Sequence, residues 1–555
     1  MSRMNHLQAN LYQLLKEIDE ICNKHDIKYF LAGGTALGTV RNHCFLPWDD
    51  DIDLYITRDN WNKLRHVLES EEDVVPEGRS FAYNENTKYY CNPIPRYVDH
   101  TTTAIYKSQA LAGKACGQHI ELLIMDPMPN DEKEREEYID LLRVYTELLS
   151  PYFVVCKNLT FEEWEKHYKL YEEYCRRVDK EGEEKVLKEL EEKLQQFPTD
   201  ECKTYCMRWG INTLMYEKEY YGKGRLERFE DDEFPVAEYA ERIFRVAYGD
   251  SWMYVPDYED QVVHNAMQDI DIPFHTYTDE YIGRIKRDPV FKKYKKNKRS
   301  NASVFYKRKK VQMLVAKEKA FVEGRHVSKY LEENEDHLRS LLDSKNYGEL
   351  SQELSEYNRL QLHPHMRKYN IIIPISDRNL ATIMLSLIEQ GKYYNANKYL
   401  NLRKTKEEPM SEELIEIEKT MNVCKELSIA RYDLKDEELV QSIIDEHESQ
   451  YPDLLDIYRS KLWIMENNAK TMEDYEEIDA LCDEVLKTYP FDGETMATQA
   501  KAKLECGHND EAMKLYEKSV ENTRNGLVWQ KVKDESGISR IDIERDIIES
   551  LAEEE

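Results

Sequence analysis

The chain opens with apolar residues at intervals of three and four, Leu7, Leu11, Leu14, Leu15, Ile18 and Ile21, which predicts an amphipathic helix ending near residues 23–26. Its apolar face needs a sheet to cover, and the next stretches supply one. IKYFLA predicts a strand ending in a Gly33-Gly34-Thr35 turn, with Thr35 opening a short helix. An acidic block, Asp49, Asp50, Asp51 and Asp53, then runs straight into a second apolar strand. Successive strand side chains alternate faces, so Asp51 and Asp53 share one face, with Asp49 in the same parity, while Ile52 and Leu54 point into the core. RDNWNKLRHVLES predicts a helix, and HIELLIMDPMP a buried strand whose only interior charge is Glu121.

From residue 131 to about 215 the pattern is helical and charge-rich, predicting a helical insertion over the sheet that carries Cys202 and Cys206 one turn apart. Pro235 reads as a start signal for a helix ending near Gly249. Beyond about Ser303 the pattern is helical throughout, with breaks at Pro364, Pro374, Pro409, Pro452 and Pro490. Ile478, Cys482 and Val485 recur 34 residues later as Ala512, Tyr516 and Ser519, and Gly391, Ala396 and Leu400 match the spacing of Gly507, Ala512 and Tyr516. This resembles tetratricopeptide helix pairs in an irregular array, and with no catalytic constellation in it the region reads as a scaffold or interaction domain, for a protein partner or for self-association. The expected layout is therefore a catalytic domain at 1–283, a basic linker at 284–310 and a helical-repeat domain at 311–555.

Charge and composition narrow the function. At 555 residues the chain exceeds one ordinary core, and its net charge of −31 argues against a general nucleic-acid binder. No apolar window reaches membrane-spanning length, so a cytoplasmic location is expected. Eleven scattered cysteines suggest free thiols rather than a disulfide framework. Against this acidic background, Arg284 to Lys310 holds thirteen basic residues and one acid. It reads as a solvated linker or as a peripheral contact with anionic lipid at the inner membrane face.

Two same-face aspartates and a distant acid form a carboxylate platform of the kind that holds Mg²⁺, or Mn²⁺ in its place, against substrate phosphates. Gly-Gly followed by a helix start lets backbone N–H groups approach a phosphate. Arg96, Asp99 and Thr102, in YYCNPIPRYVDHTTT, are candidates to contact phosphate or sugar, with a surface Arg96–Asp99 ion pair as the plain alternative. His264 reads as structural.

GGTALGTVRNHCFLPWDDDID, with RYVDHTTT, IELLIMDPMP and FEDDEFPVAEYAERIFRVAYGDSWMYVP, resembles the LicD phosphotransferase family, which includes the fukutin-related proteins. The resemblance covers about residues 5–270 and implies an α+β nucleotidyltransferase-like fold ahead of the all-α repeat region. It further implies Mg²⁺-dependent transfer of a phospho-alcohol, typically phosphocholine from CDP-choline or another CDP-alcohol. The acceptor would be a hydroxyl of a cell-surface glycan, a teichoic acid precursor or a lipid-linked polymer, with release of CMP. Carried over by position, Asp51 and Asp53 would bind metal with Glu121 completing the site and Asp49 assisting. Gly33, Gly34 and Thr35 would hold the donor phosphates, and Arg41 and Arg96 would neutralise them. Glu121 departs from the family's usual Asp. A choline head group would draw on Trp48, Tyr89, Tyr90, Trp209 or Tyr221. Two other readings stand beside this one: a nucleotidyltransferase moving NMP from NTP to a small acceptor, and a non-catalytic helical-repeat adaptor.

Overall fold

The computed structural model describes the chain except for residues 1–3, 88–89, 91, 106–116, 150–160, 208–214, 257–260, 262–266, 278–286, 362–365, 367–370, 406–408 and 538–555. It divides into two compact units, Met1–Ala247 with Pro256–Tyr306, and Tyr248–Val255 with Lys307–Glu555. The sequence division at 1–283 contains no sign that residues 248–255 belong with the helical part.

The first unit is built on a mixed sheet. Helix α1, His6–Lys24, starts at a capping box in which Asn5 and Gln8 satisfy each other's backbone N–H. It buries Leu11, Leu14, Leu15 and Ile18, each contributing about 1.5–3 kcal/mol on removal from water. The strands are β1 Phe30–Leu31, β2 Ile52–Thr57, β3 Arg79–Ala82, β4 Arg96–Asp99, β5 Thr103–Ile105, β6 His119–Pro127, β7 Thr204–Met207 and β8 Met215–Glu217. The main sheet runs β1-β2-β6-β4-β3, with β7 joined to β6 and then to β8, while β5 stands apart in a two-stranded ribbon. Strands β2 and β6 are parallel, with Asp53 opposite Glu121, and β4 is antiparallel to β6, with Arg96 opposite Glu121. Register thus puts Asp53, Glu121 and Arg96 in one row across three adjacent strands.

Helices α2, Gly33–Asn42, and α3, Arg58–Ser70, flank β2. Helix α2 opens at Gly33, two residues earlier than the expected start at Thr35. Helices α4 Glu132–Leu149, α5 Phe161–Glu181 and α6 Glu183–Leu194 bury their own cluster around Leu142, Tyr171 and Leu190.

Two local expectations are corrected. The stretch expected to be helical to 215 ends in strands, so Cys206 sits on β7 and Cys202 precedes it, off any common helix face. Pro235 lies in the hairpin of β9 Arg225–Phe229 and β10 Asp232–Val236, and helix α7 begins only at Ala240. Strand β10 pairs with β9 alone, and such an edge strand tolerates proline's missing N–H.

The second unit is almost wholly helical, with a large core that includes Leu380, Met384, Leu414 and Cys424. Ile478, Cys482 and Val485 are buried on helix Met472–Thr488, and Ala512, Tyr516 and Ser519 on helix Asn509–Asn522. Residues 248–255 are bound into this unit: the Val255 N–H donates to the Arg524 carbonyl and the Gly526 N–H to that of Met253, both at 2.7 Å. The architecture is the expected α+β domain followed by a helical one.

Candidate active site

Two strands and a helix start create the site. The backbone of β2 hands Asp53 to the surface of the sheet, and the first turn of α2 lies directly against it. A Cβ placed on Gly33 would sit 3.1 Å from Asp53 Oδ2, and one on Gly34 would sit 2.8 Å from Asp49 Oδ2. Glycine is required by this approach, and at Gly33 also by a φ of +54°. The first-turn N–H groups of a helix have no intrahelical acceptors, so the α2 turn points donors at the acidic cluster. Thr35 Oγ1 accepts from the Asp53 N–H at 3.3 Å, tying helix and strand together.

Asp53 is partly exposed, but its Oδ1 is buried and has no hydrogen-bond partner among the described residues. Burial, followed by the charges of Asp51, Glu121 and Asp49, holds its carboxyl well above the usual range, with Arg96 opposing. Four carboxylates therefore share one field. Asp51 lies one residue before β2, while Asp49 and Asp50 are both buried. Gln8 fixes this loop, its Nε2 donating to the Asp49 carbonyl at 3.1 Å. Glu230 holds the preceding turn by accepting the Phe45 N–H at 3.0 Å. Neither was visible as a site residue. The clue for Gln8 was a polar residue on α1's apolar stripe; for Glu230, whose φ is +56°, no local signal existed.

The structure pairs the sequence candidates differently from expectation. Arg96 is buried and its Nε donates to Glu121 Oε1 at 2.9 Å, so it fixes the third acid. Asp99 pairs with Arg79 at 2.6 Å and accepts from Asn10, so in place of the alternative Arg96–Asp99 surface pair there are two partly buried ones, Arg79–Asp99 and Arg96–Glu121. Thr102 Oγ1 serves the backbone of Asp99 and Gln118. Asp126, near the far end of β6, is locked by Arg58 at 2.7 and 3.0 Å and is not among the main charges acting on the Asp53 carboxyl. Arg41 is buried in the last turn of α2, its Nε donating to Asn42, two turns from the glycine end.

His119 adds a residue the sequence did not offer. Its Nδ1 lies 2.8 Å from the Gly117 carbonyl, which can only accept, so Nδ1 carries the proton and Nε2 faces Glu121 Oε1 at 3.8 Å. Burial, helped by Arg96, drives its pKa down to about 3 and keeps the ring neutral.

Of the aromatic candidates, Tyr221 packs against Phe30, Tyr55 and Tyr205, and Tyr90 is buried with its hydroxyl on the Ile94 carbonyl. These two belong to the core. Trp48 is half-buried beside the acids, and Tyr89, Trp209 and His264 lie outside the described residues. Among the described residues no three His, Cys, Asp or Glu side chains stand ready as a metal-binding group. The donor chemistry nevertheless suits a hard cation: Asp53 has a buried carboxylate oxygen without a partner among the described residues and sits among acids that raise its proton affinity.

A mixed sheet carrying aspartates beside a Gly-Gly helix start defines a nucleotidyltransferase-like domain. Residues 26–106 match the family model described as LicD/FKTN/FKRP, nucleotidyltransferase domain, so the first unit carries a domain similar to that family's. The lipopolysaccharide cholinephosphotransferase LicD of Haemophilus influenzae is 23% identical over 269 residues, spanning 46% of this chain and 93% of that relative. An uncharacterized protein of Rickettsia prowazekii is 38% identical over 65 residues, 12% of this chain and 24% of the relative. One of Rickettsia typhi is 39% identical over 59 residues, 11% and 19% of the two chains. At the level of the family the chain is a phospho-alcohol transferase.

Proposed function

We propose that the first unit transfers a phospho-alcohol, phosphocholine from CDP-choline in the first instance, to a hydroxyl of a glycan or lipid-linked polymer precursor. The observation that supports this most directly is the row Asp53–Glu121–Arg96 facing the Gly33-Gly34 turn. In this reading Asp51, Asp53 and Glu121 hold Mg²⁺, with Asp49 assisting, and the ion offsets charge on the transferred group. The α2 N–H groups of Gly33, Gly34 and Thr35 bind the donor phosphates, since only a glycine surface admits them so close to the acids. Arg96 positions Glu121 by donating to its carboxylate, with the neutral ring of His119 alongside. The P–O bond to CMP breaks as the acceptor oxygen bonds to phosphorus, and a carboxylate of the cluster takes the acceptor proton.

The full chain incubated with CDP-choline, Mg²⁺ and a polysaccharide acceptor should release CMP, detected by mass spectrometry, and EDTA should abolish it. Pyrophosphate released from CTP, with no CMP from any CDP-alcohol, would instead establish a nucleotidyltransferase.

A further inference from the structure

Asp49 is carried by a loop rather than a strand, since residues 43–51 join the end of α2 to the start of β2. Within this loop Leu46, Pro47, Trp48 and Asp49 form a turn, closed by the Asp49 N–H donating to the Leu46 carbonyl at 2.9 Å. Pro47 takes the second position, where its fixed φ is favoured. Such connections are ordinarily the softest part of a fold, and one turn hydrogen bond does not immobilise this one.

Two elements distant in sequence remove the remaining freedom. From α1, the buried Gln8 sends its Nε2 to the carbonyls at both ends of the turn, Asp49 at 3.1 Å and Leu46 at 3.4 Å. From the β9–β10 hairpin, the Glu230 N–H donates to the His43 carbonyl at 2.9 Å and its Oε1 accepts the Phe45 N–H at 3.0 Å. Phe45, wholly buried, packs on Phe229 with ring centres 4.8 Å apart. The hairpin is tied back to α1 in turn: Tyr12 packs edge-on against Phe229 and Phe234, and its hydroxyl donates to Asp232 at 2.8 Å. The contacts close a ring in which α1 holds the loop, the loop holds the hairpin and the hairpin holds α1.

Packing alone does not ask for these side chains. A leucine at position 8 would continue the apolar face of α1, and a glycine at 230 would adopt the φ of +56° without strain. What glutamine and glutamate add is hydrogen bonding to the acid-bearing loop. We propose, resting on the reading of the site given above, that Gln8 and Glu230 are positioning residues for Asp49. They hold the loop so that Asp49 stays against the Gly34 turn, where a Cβ would come within 2.8 Å of its Oδ2. A divalent cation and the donor then meet carboxylates already in place, and no loop ordering is charged against their binding. Neither residue contacts cation or donor, so the effect falls on affinity rather than on the bond-breaking step.

The test uses the full chain and Mn²⁺, with the unbound ion followed by electron paramagnetic resonance. Gln8→Met and Glu230→Gly should each weaken Mn²⁺ binding about tenfold and raise the KM for CDP-choline by a similar factor. With Mn²⁺ and donor saturating, kcat should stay within about threefold of the parent. Glu230→Gln retains an oxygen to accept the Phe45 N–H and should restore parental affinity. Asn5→Ala removes the α1 cap side chain but neither loop contact, so it should lower the melting temperature by a few degrees at unchanged Mn²⁺ affinity. In hydrogen exchange, the amides of residues 43–50 should open at least about tenfold faster in Gln8→Met and Glu230→Gly, with α3 unaffected. Gln8→Leu replaces Gln8→Met if that variant does not fold. Loss variants that bind Mn²⁺ as tightly as the parent, or whose loop exchanges no faster, overturn the proposal and leave the reading of the site standing. A parent that binds no Mn²⁺ and releases no CMP overturns that reading, and the role assigned to Gln8 and Glu230 falls with it.

Discussion

Gly33 and Gly34 differ in what a methyl group would do. At Gly34 the backbone is helical, where alanine is favoured by about 1 kcal/mol, yet its Cβ would meet Asp49 Oδ2 at 2.8 Å. Gly34→Ala should therefore leave the melting temperature within a few degrees while lowering CMP release about tenfold. Gly33→Ala adds a left-handed backbone, costing roughly 1–2 kcal/mol, and should lose both stability and activity. Thermal melts alongside turnover separate the two. Asp53 provides the pH test. Its folded pKa lies above that of the unfolded chain because burial and three neighbouring acids favour the proton. The folded state then binds the proton more tightly, so stability is unaffected below the unfolded value and falls as pH climbs from there through the folded one. In EDTA-treated protein Asp53→Asn should flatten this decline, melting higher than the parent at neutral pH and level with it in acid. The same substitution should cut turnover on the order of 100-fold. A parent melting curve that rises between acid and neutral pH without a matching effect in the variant would contradict this reading of Asp53.

Strand β6 joins the site to its support. At one end Glu121 faces Asp53, and near the other Asp126 closes a buried pair with Arg58 at the start of α3. Removing one partner of such a pair strands the other charge, so Asp126→Asn should destabilise the first unit by about 3–5 kcal/mol. Urea unfolding should show this loss, while CMP release below the transition stays within a fewfold of the parent. The difference between these two acids marks how far sequence pattern reaches. The hydrophobic pattern named β6, α1 and α3, because β6 is a continuous apolar run buried on both faces and each helix buries a simple helical face. It also placed Asp53 and Glu121, because an acid beside apolar strand residues is conspicuous. What it could not supply was partner choice: Arg96 for Glu121, Arg79 for Asp99 and Arg58 for Asp126 are set by register between strands and helices distant in sequence. Gly391 makes the same point in the helical unit. It was noticed as a repeat position, but its Cβ would stand 2.6 Å from Arg459 Nη1, a constraint imposed by a residue 68 positions away.

Charge is distributed unevenly along the whole chain, and the contrast is sharpest where the basic tract enters helix Arg287–Glu333. Lys292, Lys293 and Lys296 are exposed there, and further along the helix so are Val311, Leu314, Val315, Phe321 and Val322. No helix among the described residues is long and apolar enough to cross a membrane. Lysines followed by uncovered apolar residues on one helix are the chemistry of contact with an anionic lipid surface, where each well-placed cation is worth about 1 kcal/mol. If the acceptor is lipid-linked, this contact would concentrate the enzyme on its substrate. Vesicles of phosphatidylglycerol should then sediment the protein and vesicles of phosphatidylcholine should not. Reversing all three lysines to glutamate should weaken sedimentation by at least about 100-fold, because losing three attractions of about 1 kcal/mol each gives that much before repulsion adds to it. Turnover on a water-soluble acceptor should be unchanged in that variant, whereas turnover on a vesicle-borne acceptor should fall with binding. Equal sedimentation of parent and variant would assign the tract to a solvated linker.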